Sequence, residues 1–281
     1  MTLIGQTATL DDQTAQAVSI LRRAQYLIIL TGAGVSQESG IPTFRDAQTG
    51  LWARYDPMEL ATPQAFCRKP ELVWEWYTYR RRLVAEAKPN PGHRALVELE
   101  RHVPRVVVLT QNVDGLHQKA GSSDVVELHG SIWRDKCYSA CQGEPTLVNT
   151  AALAGSPPGC PHCGAPVRPD IVWFGEPLPP DALGRANQAS IECDVMLVVG
   201  TSGAVYPAAE LPVITARAGH PVIEVNQSTS GITPVADLFL LGPGGSVLPR
   251  LLEALDLPPT SGQSLSSPWP RPGIGRATKE T

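Results

Sequence analysis

Tyr26-Leu27-Ile28-Ile29-Leu30-Thr31-Gly32-Ala33-Gly34-Val35-Ser36 is the stretch on which the fold turns. Its unbroken apolar run reads as a strand buried on both faces, and the glycines that follow open a tight turn. Ahead of it, Ala17, Ile20, Leu21 and Ala24 recur at i, i+3, i+4 and i+7 behind the acidic pair Asp11-Asp12, the pattern of an amphipathic helix. Further short apolar runs stand at Val106–Leu109, Val195–Val199, Val222–Val225 and Leu238–Leu241, with helical or loop sequence between them. Continuous runs separated by helices predict an α/β fold, a Rossmann-like doubly wound parallel sheet.

Working outward, that domain is expected from 11–55, 104–134 and 168–257 together. The stretch 56–103 carries Trp74, Trp76, Tyr77, Tyr79 and the triplet Arg80 to Arg82, and reads as a helical insertion. Segment 135–167 holds clustered cysteines around Pro157-Pro158-Gly159 and reads as a small metal-held module. Half of the 24 residues from 258 to 281 are Pro, Gly or Ser, which predicts a disordered tail.

Composition narrows the class. A chain of 281 residues that is 42% hydrophobic and 18% charged is globular and long enough to bury a core without disulfides. Pro and Gly make up 52 of the 281 residues, turn-rich yet below the roughly 25–30% of low-complexity chains. Lys and Arg number 23 against 27 Asp and Glu, a net charge of −4, without the basic excess that direct nucleic-acid binding needs. The start, Met1-Thr2-Leu3-Ile4-Gly5, lacks a basic leader, and no apolar run nears the roughly 18 residues of a membrane span. A cytoplasmic protein with no membrane partner is expected.

Four of the six cysteines, Cys137, Cys141, Cys160 and Cys163, crowd into 27 positions. In a reducing compartment such clustering points to metal rather than disulfides, and four thiolates close a tetrahedral structural Zn²⁺ site. The alternative is four unrelated buried cysteines.

Several residues suit chemistry and also admit plainer readings. Gly32-Ala33-Gly34 after a strand lets backbone N–H groups approach a pyrophosphate, but position 37 is Gln where a full dinucleotide fingerprint wants a third small residue. A simple turn would also account for it. Asn112 and Asp114 follow the Val106–Leu109 strand, at the carboxyl edge where ligands of an open sheet gather, although an Asx turn or helix cap would also place Asp114 there. His129, after Val125-Val126-Glu127-Leu128, suits a general base or an ordinary capped histidine. Tyr77 and Arg80 share a helix face at i and i+3 and together would grip a carboxylate; a packed tyrosine beside a solvated arginine is the rival.

The longer motifs resolve these readings together. Gly32-Ala33-Gly34-Val35-Ser36-Gln37-Glu38-Ser39-Gly40-Ile41-Pro42-Thr43-Phe44-Arg45, Thr110-Gln111-Asn112-Val113-Asp114-Gly115-Leu116-His117, Glu127-Leu128-His129-Gly130 and Gly200-Thr201-Ser202 closely resemble the sirtuins, in order and over about Asp12 to Leu257. The resemblance implies an NAD-dependent protein-lysine deacylase. NAD is consumed as co-substrate: the acyl oxygen attacks ribose C1′ as nicotinamide leaves, and the products are nicotinamide and O-acyl-ADP-ribose. It further implies that His129 takes a proton from the ribose, with Asn112 beside it in the catalytic set. Gln111 and Asn112 would contact the nicotinamide ribose, Asp114 the carboxamide, Arg45 a phosphate, and Phe44 would cover the reacting ribose. Gly32, Ala33, Gly34 and Ser36 would line the phosphate turn, and Gly200, Thr201, Ser202, Asn226, Gln227 and Gly244 the adenosine side. Asn226 stands where an ordinary dehydrogenase uses an acid.

Tyr77 and Arg80, with Ala61 in Leu60-Ala61-Thr62-Pro63, resemble the class III sirtuins that remove succinyl and malonyl groups as well as acetyl groups. Val172, Trp173, Phe174 and Gly175, within Pro169 to Glu176, match the family's substrate-binding stretch, so acyl-lysine proteins or peptides are the expected partners. The resemblance also implies a structural zinc, although the three-residue spacer between Cys137 and Cys141 departs from the more usual two. Mono-ADP-ribosyl transfer, which shares the first step, and a non-catalytic NAD-sensing module are the alternatives.

Overall fold

Strand β1 (Tyr26–Thr31) is buried at every position. In the computed structural model, which describes residues 10–43, 55–56 and 60–256, the other elements are laid around it. Phe44, Arg45 and the 258–281 segment fall outside the described residues. Helix α1 (Leu10–Leu21) precedes β1, and the single turn α2 (Gly34–Gln37) follows it. Next among the described residues come α3 (Pro63–Arg68), α4 (Pro70–Glu86), α5 (Pro91–Leu99), β2 (Arg105–Thr110), α6 (Leu116–Ala120) and β3 (Val125–Glu127). Strands β4 (Gly130–Cys137) and β5 (Val167–Ile171) pair antiparallel around the cysteine-bearing loop. The chain returns through α7 (Pro180–Glu192), β6 (Val195–Val199), α8 (Leu211–Arg217), β7 (Val222–Asn226), β8 (Leu238–Leu241) and α9 (Gly244–Asp256).

The six-stranded sheet has the order β3-β2-β1-β6-β7-β8, every pair parallel. Period-two alternation in β1 divides its side chains between two cores. Leu27 and Ile29 pack with Ala17 and Leu21 of α1, Leu96 and Leu99 of α5, and Leu248 and Leu251 of α9. Ile28 and Leu30 pack on the opposite face with Ala186 and Ala189 of α7 and Leu211 of α8. This is the doubly wound arrangement expected of continuous apolar runs, and its order reverses between β1 and β6, where open α/β sheets bind ligands.

The 56–103 segment divides in the structure. Phe66 of α3 and Val73, Trp76 and Tyr77 of α4 form a separate core with Ile132, Ile171 and Trp173. Helix α5 instead joins the sheet-face core. It is entered through Asn90, whose side chain accepts from His93 N at 3.2 Å and donates to Val35 O at 2.7 Å. Cys137, Cys160, Val148 and Val167 make a fourth small cluster.

At the β1/β6 reversal the backbone leaves no room for side chains. Gly32 N donates to Val199 O at 3.1 Å and Gly34 N to Gly200 O at 2.8 Å. A Cβ on Gly32 would meet Thr201 Cα at 2.8 Å, and one on Gly34 would meet Gly200 O at 2.7 Å. Gly200 has φ +61°, and its Cβ would lie 2.5 Å from Val35 N. The turn glycines therefore have a packing reason of their own, independent of any ligand. Gly200→Ala combines this clash with a left-handed backbone costing about 1–2 kcal/mol for an L residue, and is expected to destabilise the fold by at least that much in urea titration; a loss below about 0.5 kcal/mol, the range of neutral surface changes, contradicts the packing argument.

Candidate active site

The carboxyl ends of β1, β2, β6 and β7 open into a cavity of about 970 Å³ that runs under α4 and the 172–176 segment. It brings together residues the sequence placed on separate motifs. Gly32, Ala33, Gly34 and Ser36 come from the turn after β1, and Gln111, Asn112 and Asp114 from the turn after β2. His129, Gly200, Thr201, Ser202 and Asn226 line it from later turns, and Ala61, Tyr77, Arg80, Val172, Trp173, Phe174 and Gly175 from the other side. Gln227 and Gly244 line a smaller adjoining hollow of about 190 Å³, shared with Gly34, Gly200 and Asn226.

The floor is a hydrogen-bonded relay. Asn112 Nδ2 donates to Gly32 O and Ser36 Oγ, each at 3.0 Å, and Ser36 Oγ donates to Asp114 Oδ2 at 2.8 Å. Asp114 Oδ1 accepts from Leu116 N at 2.8 Å, so the Asx turn does exist, on one oxygen, while the other accepts from Ser36. Burial raises the Asp114 pKa, opposed by the bonds from Leu116 and Ser36. Gln111 Nε2 donates to Thr201 Oγ1 at 3.0 Å across the sheet reversal. Below, Asn112 N donates to Thr110 Oγ1 at 3.0 Å, and Thr31 Oγ1 links Thr110 Oγ1 and His117 Nε2, both at 2.9 Å. The rings of His117 and His93 lie 4.9 Å apart. Burial lowers their pKa values to about 3 and about 4, so both are neutral parts of the scaffold.

His129 is held differently. Its Nδ1 lies 2.9 Å from Gln111 O, and a carbonyl only accepts, so Nδ1 carries the proton and Nε2 keeps its lone pair. Burial lowers the pKa of His129, with the Gln111 bond opposing; the neutral, proton-accepting form is favoured at pH 7.

Tyr77 and Arg80 do share a face of α4, and both are buried, Arg80 being only 6% exposed. The solvated-arginine reading therefore does not hold. The Tyr77 hydroxyl accepts from Trp173 Nε1 at 2.8 Å, leaving its own hydrogen to donate. Burial raises the Tyr77 pKa, keeping the phenol neutral. Arg81, one residue on, points elsewhere: it pairs with Asp135 and donates to Ile132 O at 2.7 Å.

Arg168, behind this wall, escaped the sequence reading, as did the part played by Glu176 at the end of the 169–176 stretch. Arg168 forks onto Glu176 at 2.5 and 2.9 Å, and its guanidinium lies 3.3 Å over the Trp173 ring. Glu176 also accepts from Trp173 N at 2.8 Å. Opposite charges bracketing the aromatic stretch 169–175 were the available signal. Phe174 N donates to Ala61 O at 2.9 Å, joining that stretch to the segment ahead of α3.

The thiol sulfurs of Cys137, Cys141, Cys160 and Cys163 lie within 4.8 Å of one another, a set able to hold a metal ion. Cys137 and Cys163 are 3.5 Å apart, Cys141 and Cys160 3.9 Å. Ala140 takes a positive φ of 46°, a left-handed turn in the three-residue spacer.

Comparison with known proteins places this geometry. Residues 32–207 match the model of the Sir2 family. The chain is 52% identical over 234 residues to the "NAD-dependent protein deacylase 2" of Pyrobaculum aerophilum, covering 83% of this chain and 92% of that protein. A solved complex of a Sir2 homolog with NAD superposes with a TM-score of 0.78 at 45% identity, covering 85% of this chain and 93% of that one. A Sir2 protein bound to an acetylated peptide gives 0.75 at 33% identity, covering 85% and 96%. The match runs through the turns after β1, β2, β3 and β6 that build the cleft, and on that ground the chain belongs to the Sir2 family.

Proposed function

We propose that this protein is an NAD-dependent protein-lysine deacylase that accepts acetyl groups and acidic acyl groups such as succinyl and malonyl. The observation that carries the reading is His129: neutral, fixed by Gln111 O and open at Nε2 within the cleft that holds Asn112 and Asp114. The deacylase name of the Pyrobaculum relative and the NAD and acetylated-peptide complexes of the solved homologues support it. NAD supplies the reaction's driving chemistry when bound, an activated ribose carbon from which nicotinamide leaves and a hydroxyl that receives the acyl group.

The residues of this chain bind, orient and move one proton. Asn112 is held in the cleft floor by Gly32 O and Ser36 Oγ, and Ser36 and Asp114 form the amide-recognising side of the relay. Thr201, Ser202 and Asn226 serve the adenosine side. His129 Nε2 takes the ribose hydroxyl proton, while the Gln111 bond keeps the ring in the required tautomer. Trp173, clamped between Arg168 and Tyr77, walls off the acyl channel. A terminal carboxylate in that channel would pair with Arg80 and accept from Tyr77 Oη.

We assign the four cysteines to a structural zinc. Tetrahedral bonds of about 2.3 Å set sulfurs about 3.8 Å apart, and two of the pairs here, at 3.5 and 3.9 Å, fit that spacing. Four thiolates leave no open position, so the metal's part is to hold the lobe.

Four outcomes test this. Incubated with NAD and acyl-lysine peptides, the protein should release nicotinamide and O-acyl-ADP-ribose by mass spectrometry; His129→Ala should retain NAD binding and lose about 10²- to 10⁴-fold in turnover. Because the folded His129 pKa lies below its ordinary value, the acid limb of kcat/KM should fall below pH 6.5; an intact rate in His129→Ala refutes the assignment. Arg80→Met should lower succinyl-lysine kcat/KM by roughly 10- to 100-fold, the loss of one charge-assisted bond, and spare acetyl-lysine. The exposed Arg82→Met on the same helix is the control, since Arg81 is tied to Asp135; equal losses on both substrates rule out the carboxylate role. Cys160→Ala should yield metal-free, unfolded or insoluble protein, because metal binding in such lobes is folding free energy; soluble, active wild-type protein without zinc by elemental analysis excludes the site.

A further inference from the structure

We propose that Glu224 is the positioning residue for the adenosine end of the cleft and the source of a negative bias there that discriminates against a cosubstrate bearing a 2′-phosphate. The proposal rests on the deacylase reading above, in which Asn226 faces the adenosine ribose.

Glu224 lies inside β7, in the apolar run Val222–Val225, and is fully buried. A glutamate in a central parallel strand is costly unless its oxygens are satisfied. Here three donors satisfy them: Asn226 Nδ2 at 3.2 Å, Ser230 Oγ at 2.5 Å and Thr233 Oγ1 at 2.7 Å. Both hydroxyls already accept backbone N–H bonds, Ser230 Oγ from Ile232 N and Thr233 Oγ1 from Ser230 N. Their hydrogens are thus the ones that point at Glu224, the pattern suited to the ionised, acceptor-only form. No ion pair involves Glu224 among the described residues.

The consequence for geometry is direct. Residues 228–231 line the cleft, and Glu224 fixes that loop from beneath through Ser230 and Thr233. Gly231 N in turn donates to Ser202 O at 3.0 Å, and Asn226 Nδ2 donates to Thr201 O at 2.8 Å. One carboxylate therefore sets both walls of the ribose end. A dehydrogenase-like acid at the strand end would touch the ribose itself. Glu224 stands two residues earlier on the same strand face, so its charge acts through Asn226. Among the described residues lining the two hollows, Arg80 is the only Lys or Arg, and it belongs to the acyl side. A 2′-phosphate placed near Asn226 would meet a buried anion and, among the described residues lining that end of the cleft, no compensating Lys or Arg.

The test compares dissociation constants of NAD and NADP by calorimetry in the full-length protein. Glu224→Gln keeps the shape and removes the charge. The ratio of NADP to NAD dissociation constants should fall at least about tenfold, the scale of one unit charge acting from within about 12 Å at an effective dielectric near 20, while NAD itself binds several-fold more weakly as the loop loosens. Thr233→Lys reaches the same end without altering Glu224, by setting an ammonium beside its carboxylate, and should also lower the ratio. It keeps the proposal testable if Glu224→Gln does not fold. Parallel weakening of both nucleotides, with the ratio unmoved in every variant that folds, overturns the proposal and leaves Glu224 a purely structural group. Wild-type protein that binds neither nucleotide overturns the deacylase reading instead.

Discussion

The fold depends on one close approach: the backbone after β1 against the backbone after β6, at the point where the sheet reverses its order. Gly32, Gly34 and Gly200 meet at distances that exclude a Cβ on any of them, and two N–H···O bonds fasten the turns together. Every functional turn is measured from that junction. Gln111 reaches across it to Thr201, and Asn112 is held by Gly32 O on one side of it. A side chain there would push apart the elements that give the cleft its floor.

Beneath that junction lies a polar layer in an otherwise apolar sheet. Thr31, Thr110 and His117 form a chain of hydrogen bonds between adjacent buried strands, and Asn112 takes its backbone position from Thr110. Such groups are costly to bury and tolerable when they satisfy one another. What they contribute is direction: each member has few alternative partners, so the turn after β2 has one orientation. The neutral state imposed on His93 and His117 by burial keeps the layer uncharged across the physiological range.

The sheet was legible because its central strands are continuous apolar runs closed by glycine, and the cleft because its polar residues follow those runs directly. Spacing alone could not choose between Arg80 and Arg81 as the partner of Tyr77, since both lie within one helical turn of it. The choice is made by Asp135, in a segment more than fifty residues away along the chain, which takes Arg81. Helix α5 looked like part of an insertion because its neighbours in sequence are aromatic; its own Ala95, Leu96 and Leu99 pack on the sheet. Glu224 reads as a blemish in a strand until its donors appear six and nine residues later, in a loop whose course the strand pattern does not reveal. The turn glycines were read for a ligand and turn out to serve a second backbone as well.

The pairing of Arg81 with Asp135 ties two parts of the molecule that seem to have separate business. Asp135 lies two residues before Cys137 on β4 and also holds Thr150 Oγ1 at 2.8 Å, within the thiol-bearing loop. Arg81 lies next to Arg80 on α4. The strand that carries the first thiol is thereby tied to the helix presenting Tyr77 and Arg80. If Tyr77 and Arg80 hold the acyl group as proposed, the one ion pair between Arg81 and Asp135 is a direct side-chain link between that grip and the cysteine-bearing strand.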